Sequence, residues 1–253
     1  MKIKIFSNLI GRFLKLIQRF LFISANATNK RRREFVADFL QGLPQNTSLL
    51  DVGAGIQKYR QFCSHLKYTS QDLAQYDGIG DGVGFQSGSW DMPSIDIISD
   101  ISSIPVPDAS FDAVICTDVL EHVPNVCSAL LELDRVVRPG GQILITVPSQ
   151  CDAHQTPFFY SGGYSSYLFK KVFPEYKVTV DYESGYFETV DQKLGLGFGV
   201  LISLVKKNPI YFGVLAGYII FSVPIVLLLR MLPKFAAEIG NNGLLVLIEK
   251  QKP

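Results

Sequence analysis

Short apolar runs, each closed by an acid or a glycine, alternate along this chain with stretches whose apolar positions recur every three or four residues. The run Leu49-Leu50-Asp51-Val52 enters Gly53-Ala54-Gly55 and then a polar stretch, which predicts a buried strand over about 48–53 and a tight turn. Glycine admits positive φ and lets a ligand approach without a Cβ in the way, and a helix after the turn would offer free N–H groups to an anionic group. Further strands are predicted at 67–71, closed by Asp72, at 95–99, closed by Asp100-Ile101, and at 111–117, closed by Asp118. A helix from Leu120 to about Val137 stops at Arg138-Pro139-Gly140-Gly141, and a fifth strand follows at 142–147. Phe35, Val36, Phe39 and Leu40 mark a short helix over 31–43, broken by Pro44, and 243–250 reads as the closing strand. This rhythm predicts an α/β chain with a mostly parallel sheet covered on both faces.

Three stretches depart from the rhythm. Residues 75–94 are glycine-rich with the lone Trp90, and read as a long loop over the ligand edge of the sheet. Asn208–Leu229 contains no charge and as a helix is about 33 Å long, enough to cross a hydrocarbon core. Residues 194–205 form another uncharged run, too short to span alone. A single crossing would leave the closing strand on the wrong side of a membrane, so a monotopic or re-entrant insertion is expected, with core or homodimer-interface helices as the alternative. At the start, Phe6, Leu9, Ile10, Phe13, Ile17 and Phe20 face one way and Asn8, Arg12, Lys15 and Arg19 the other. That is an amphipathic basic helix suited to anionic membrane lipids, or to packing on a protein surface. Lys30-Arg31-Arg32-Arg33 reads as a headgroup contact or a solvated helix start. The expected organisation is therefore 1–30 as interface helix and linker, 31–193 as the catalytic domain, 194–239 as the apolar insertion and 240–253 as the final strand.

Composition sharpens this picture. Hydrophobic residues make up 47% of the 253 and charged residues 19%, which points to apolar segments outside the core. Net charge is +1, yet nine of the 24 Lys/Arg precede the first acid, Glu34, so the body is acidic and a poor match for nucleic acid. The four cysteines form no C-x-x-C pair and no histidine stands at ligand spacing from them, so a reducing compartment and no metal are expected.

Candidate chemistry begins at the glycine turn. A dinucleotide fingerprint needs a third glycine where Lys58 stands, which weakens a hydride-transfer reading. Asp72 lies twenty-one residues after Asp51, about one helix plus one strand, where an acid faces the ribose hydroxyls of a bound nucleoside.

Together, Leu-Leu-Asp-Val-Gly-Ala-Gly at 49–55, Asp72, Asp100-Ile101 with Ile-Pro-Val-Pro-Asp-Ala-Ser-Phe-Asp at 104–112, Leu-Glu-His-Val at 120–123 and Arg-Val-Val-Arg-Pro-Gly-Gly at 135–141 resemble the class I S-adenosylmethionine-dependent methyltransferases. The resemblance covers roughly 31–150. His154-Gln155-Thr156-Pro157 and the aromatic run to Tyr167 are similar to an acceptor-side segment of related enzymes encoded with surface-polysaccharide genes. It implies a Rossmann-like doubly wound seven-stranded sheet, here with an apolar helical insertion before the last strand. It also implies roles. Gly53 and Gly55 would let the methionine part of S-adenosyl-L-methionine lie against the backbone, with Asp51 supporting the turn and the amino group. Asp72 would take the ribose hydroxyls, Asp100 the adenine amine, and Ile101 the adenine ring. Thr117 and Asp118 would line the cofactor. An oxygen acceptor needs a base, and His154 is the first candidate, ahead of His122; His65 reads as a helix-surface residue. The expected activity is methyl transfer to a small, lipid-linked or membrane-proximal acceptor such as a glycan precursor or isoprenoid compound, at the cytoplasmic face of a membrane. The alternative is a non-catalytic membrane-associated scaffold that keeps the fold.

Overall fold

The computed structural model describes residues 12, 14–91, 93–232 and 236–252. The positions Phe6, Asn8, Leu9, Ile10 and Phe13 of the expected interface helix lie outside them. The chain divides into two compact units. One joins Arg32–Glu183 to Asn242–Pro253, and the other joins the residues up to Arg31 to Ser184–Asn241.

The larger unit is built on seven strands, β1 (Ser48–Val52), β2 (Lys67–Asp72), β3 (Ile97–Ile98), β4 (Phe111–Thr117), β5 (Val137–Pro148), β6 (Lys177–Tyr182) and β7 (Gly243–Glu249), in the order β3-β2-β1-β4-β5-β7-β6. The pairs from β3 to β5 are parallel, and β7 runs antiparallel to both β5 and β6. The central strands are near-continuous apolar runs because both their faces are covered. Their alternate side chains divide accordingly. Leu50, Val52, Val114, Cys116, Ile143 and Ile145 pack into one core with Leu130 and Leu133 of a helix at Val126–Val136. Leu49, Ala113, Ile115 and Leu144 pack into another with Val36 and Leu40. Those last two belong to helix α1, Ile23–Gly42, which runs without a break through 30–31 and begins earlier than the sequence pattern suggests. The helix at Val126–Val136 is α2, and its N-cap Asn125 accepts from Ser128 N at 3.2 Å.

This is the expected Rossmann-like sheet, with a 23-residue apolar helical stretch, Pro209–Met231, before the last strand. Several local expectations need correction. No α-helix follows the glycine turn. Gly53, Gly55 and Gln57 have φ of +66°, +50° and +54°, left-handed positions that a right-handed helix cannot contain, and only a 3-10 turn at Arg60–Phe62 follows. His65 accordingly lies in a turn, with Nε2 3.1 Å from the Leu43 carbonyl. The helix expected from Leu120 is a 3-10 turn, Leu120–His122, separated from α2. The strand at 95–99 shrinks to two residues, while β6 went unread. Val178, Val180 and Tyr182 alternate with exposed Lys177, Thr179 and Asp181, the pattern of an edge strand with one buried face.

The smaller unit contains α4, Tyr186–Lys207, and α5, Phe212–Met231; α3 is the short helix Ser166–Val172 of the larger unit. Leu21, Phe198, Leu215 and Val226 form its core, with Ile17 and Phe20 of the helical residues 14–21 packed against them. A Cβ on Gly195 would stand 2.7 Å from the Leu21 carbonyl oxygen, so glycine sets the helix approach there. Arg230 donates to buried Asp191 at 2.8 Å and to the Phe20 carbonyl at 2.8 Å.

Leu144 is fully buried at the centre of the sheet. Leu144→Ala is expected to lower unfolding stability by about 2–5 kcal/mol through loss of transfer free energy and the cavity left behind. Urea denaturation checks this as a shifted midpoint with an unchanged slope.

Candidate active site

Parallel strands leave their carboxyl ends on one edge of the sheet, and the chain must turn there before each crossover. At this edge the ends of β1, β2 and β4 surround a cavity of about 280 Å³. Asp51, Gly53, Gly55, Asp72, Asp100, Ile101, Thr117 and Asp118 all line it. The 75–94 loop covers it, as expected, through Gln75, Tyr76 and Trp90, with the Tyr76 and Trp90 rings edge-on at 5.0 Å. His154 does not line the cavity, but His122, Gln155 and Phe158 do.

Backbone geometry explains the glycines. A Cβ on Gly53 would fall 2.3 Å from Val119 Cγ2, and one on Gly55 would come within 3.2 Å of Trp90. Asp72 Oδ2 accepts from Gly55 N at 2.8 Å and Oδ1 from Ala74 N at 2.7 Å, so its carboxylate ties the glycine turn to the end of β2. Asp100 Oδ1 accepts from Ser102 N at 2.7 Å and from its hydroxyl at 2.6 Å, and these bonds hold the carboxyl below its usual range.

The two acids of β1 and β4 sit in opposite electrostatic settings. Asp51 is buried, and burial pushes its carboxyl up to about 7 against the hydrogen bond from the Tyr68 hydroxyl at 2.7 Å. For Asp118 burial acts the same way, but Arg32 and Lys58 overcome it and hold the group below its ordinary value. Arg32 Nη1 donates to Asp118 at 2.6 Å, Lys58 Nζ stands at 3.4 Å, and the Thr146 hydroxyl donates at 3.0 Å. The other edge of the Arg32 guanidinium pairs through Nε and Nη2 with buried Glu183.

Arg32, Lys58 and Glu183 were missed as site-supporting residues. Within the run Lys30–Arg33 nothing in the sequence marks Arg32 as pairing with two carboxylates.

A second cluster adjoins this site. The 3-10 turn after β4 carries Glu121 and His122, and the loop after β5 carries His154, with the two rings edge-on at 4.8 Å. Burial pushes the Glu121 carboxyl up to about 8, aided by the Asp118 charge, and pushes the His122 imidazole down to about 4.

The donor set suits S-adenosylmethionine. Four carboxylates face a ligand with cationic sulfur, an ammonium and ribose hydroxyls. Ile101, Val119, Val123 and Trp90 offer apolar surface for a purine, and the glycine turn leaves its backbone open.

Fold and cavity thus have the arrangement of the Rossmann-like methyltransferase fold. Comparison with known proteins agrees. The sequence model of a family described as a methyltransferase domain matches residues 50–145. It is similar to the tRNA (carboxymethyluridine(34)-5-O)-methyltransferase ALKBH8 of Mus musculus, 32% identical over 116 residues that make up 44% of this chain and 16% of that protein. It is also similar to the 2-methyl-6-phytyl-1,4-hydroquinone methyltransferase of Synechocystis sp., 28% identical over 124 residues, 47% of this chain and 37% of that one. The chain thus spans well under two thirds of the length of these relatives. In fold it is similar to the phosphoethanolamine N-methyltransferase 2 of Haemonchus contortus, solved with phosphomonomethylethanolamine and S-adenosylhomocysteine. The TM-score is 0.50 at 14% identity, over 88% of this chain and 53% of that one.

Two outcomes follow from the charges. Asp51 binds a proton more tightly when folded, so its share of stability falls as pH rises from about 4 to about 7 and is constant above that. Asp51→Asn removes this dependence. Its stability relative to the parent should rise across the window by about 4 kcal/mol, read from urea denaturation at each pH. Arg32→Met strands buried Glu183 without its partner and should cost about 3–5 kcal/mol at pH 7, with part restored by Glu183→Gln in the same chain.

Proposed function

We propose that this protein transfers a methyl group from S-adenosylmethionine to a small acceptor that is lipid-linked or lies close to a membrane. The observation that carries the reading is the convergence of the glycine turn, Asp51, Asp72, Asp100 and Asp118 on one cavity of about 280 Å³. When bound, S-adenosylmethionine supplies an electrophilic methyl group on a sulfonium. Gly53 and Gly55 give its amino-acid part access to the backbone, with Asp51 beside the ammonium. Asp72 accepts from the ribose hydroxyls, Asp100 from the adenine amine, and Ile101 packs on the ring, while Thr117 and Asp118 complete the wall. Positioning supplies most of the rate in an in-line displacement, and the Tyr76–Trp90 pair excludes water. On the acceptor side His154 donates Nδ1–H to the Asp152 carbonyl at 3.0 Å, which leaves its Nε2 lone pair for the acceptor's proton.

The smaller unit supports this class of acceptor. In Pro209–Met231 the mean hydropathy is 2.5, and its apolar side chains are largely exposed, Phe221 at 74% and Met231 at 83%. A core helix would bury them. The chain leaves the sheet after β6 and returns as its neighbour β7, so 184–241 starts and ends on one side of any bilayer. On α4 only twelve residues separate Lys193 from Lys206, about 18 Å of helix against about 30 Å of hydrocarbon. That favours α5 lying in the interface of the cytoplasmic leaflet, with Lys206 and Lys207 among the headgroups, over a transmembrane hairpin. The phytyl quinol named for the Synechocystis relative is an acceptor of the same amphiphilic kind.

Calorimetric titration with S-adenosylhomocysteine should give micromolar binding, weakened about 10- to 100-fold in Asp72→Ala, as expected for loss of hydrogen bonds to a charged group. No binding by the folded parent would leave a scaffold that keeps the fold. In a flotation assay the protein should rise with anionic vesicles, and Phe221→Asp with Ile225→Asp should leave it in the soluble fraction. A detergent-free homodimer that ignores vesicles would assign the exposed face to a second copy instead.

A further inference from the structure

Glu121, His122 and His154 face one another, each offering one ligand atom to the space between them. Glu121 Oε1 lies 4.0 Å from His122 Nε2 and 3.9 Å from His154 Nε2, and the three residues' ligand atoms are all within 4.8 Å of one another. The ring orientations fix which nitrogens carry protons. His122 Nδ1 is 2.6 Å from the Phe158 carbonyl oxygen, and His154 Nδ1 is 3.0 Å from the Asp152 carbonyl oxygen. A carbonyl only accepts, so each Nδ1 donates and each Nε2 presents a lone pair. Glu121 is 2% exposed, and neither its Oε2 nor His122 Nε2 has a hydrogen-bond partner. Buried polar atoms rarely go unpaired, and a cation between the three groups would satisfy both. Phe159 packs against both rings, at 6.4 and 5.2 Å, and limits their freedom to turn away.

We propose that Glu121, His122 and His154 bind one divalent transition-metal ion of the zinc class. Two imidazoles and one carboxylate are a donor set for such an ion, and three protein ligands leave a coordination position open. The backbone carbonyls on both Nδ1 atoms are the outer-shell partners that metal-ligating histidines use. Neighbouring donors around an ion held at about 2.0–2.2 Å lie roughly 3.0–3.5 Å apart, so the 3.9–4.0 Å separations from Glu121 would close by about half an ångström on binding and the widest in the set, within 4.8 Å, by up to about 1.5 Å. His122 also lines the cavity, so the cluster borders the space in which the cofactor would sit.

The role of the metal rests on the methyltransferase reading; the site itself does not. It holds an oxygen acceptor by its hydroxyl and lowers that hydroxyl's pKa, so the proton leaves to solvent. The oxygen lone pair then forms the new O–C bond as the C–S bond breaks, and that bond's electron pair stays on sulfur. With the ion bound His154 is a ligand, and without it the same Nε2 is left to act as the base proposed above, since one lone pair cannot do both.

Chelator-treated full-length protein is titrated with zinc chloride by calorimetry and with cobalt(II) by visible absorption, and S-adenosylhomocysteine binding is measured on the same samples. The parent should take up one equivalent per chain. His154→Ala and the isosteric Glu121→Gln, each checked for fold by circular dichroism, should lose at least the roughly 100-fold that loss of an outer-shell partner alone can cost. His65→Asn, which alters the remaining histidine, should bind metal like the parent. Absence of saturable binding by a parent that still binds S-adenosylhomocysteine overturns the metal site and returns His154 to the role of base. Unchanged affinity in both site variants overturns it equally. Metal binding without S-adenosylhomocysteine binding keeps the site and removes its role in methyl transfer.

Discussion

Strand β7 is the constraint on which the rest of the structure depends. It enters the sheet antiparallel between β5 and β6, so it completes the hydrogen bonding of β5 and, among the described residues, gives β6 its only strand partner. It also brings Gly243 against Glu183, whose N–H donates to the Gly243 carbonyl at 2.9 Å. A Cβ on Gly243 would lie 2.5 Å from Glu183 Oε2, so that carboxylate is pressed into place by bare backbone. From there it takes the Arg32 guanidinium, which in turn holds Asp118 at the end of β4. One strand pairing thereby fixes a charge at the wall of the cavity. The same pairing obliges everything between β6 and β7 to leave and rejoin the sheet at neighbouring positions.

Much of the sheet was legible because burial on both faces writes itself as an uninterrupted apolar run. Phe111–Thr117 matches its strand residue for residue for that reason. The acids closing each strand were legible too, since a carboxylate at the end of a buried strand has to face solvent, a ligand or, as Asp118 does, a cationic side chain. Other features were hidden by the kind of information they require. The missing helix after the glycine turn depends on Gln57 taking φ of +54°, which no side-chain pattern announces. Strand β6 is short and lies at an edge, so its alternation is easily lost among polar neighbours. Arg32 differs from Arg31 and Arg33 only in what the folded chain sets opposite it. Glu121 and His122 meet His154 across thirty-two residues of sequence, through a loop rather than a helix face, and no local spacing encodes that meeting.

The site also separates its acids by environment. Asp51 lies under a tyrosine hydroxyl in a dry setting that favours the protonated form, whereas Asp118 lies between two cations that favour the ionised one. Asp72 uses both oxygens to order backbone, so its remaining lone pairs point from a rigid frame. A ligand with a cation at one end and neutral hydroxyls further along meets a graded surface instead of a uniform negative field. This grading is a property of packing, and it holds with the chain close to overall neutrality.

The loop over the cavity and the loop bearing His154 are stitched together. Phe85 N donates to the Ala153 carbonyl at 3.0 Å, Gln155 N to the Phe85 carbonyl at 2.9 Å, and Asp81 N to the Thr156 carbonyl at 3.1 Å. Neither loop opens without breaking hydrogen bonds that the other also needs. The two loops therefore keep or lose their order together, and whatever displaces one loosens the other.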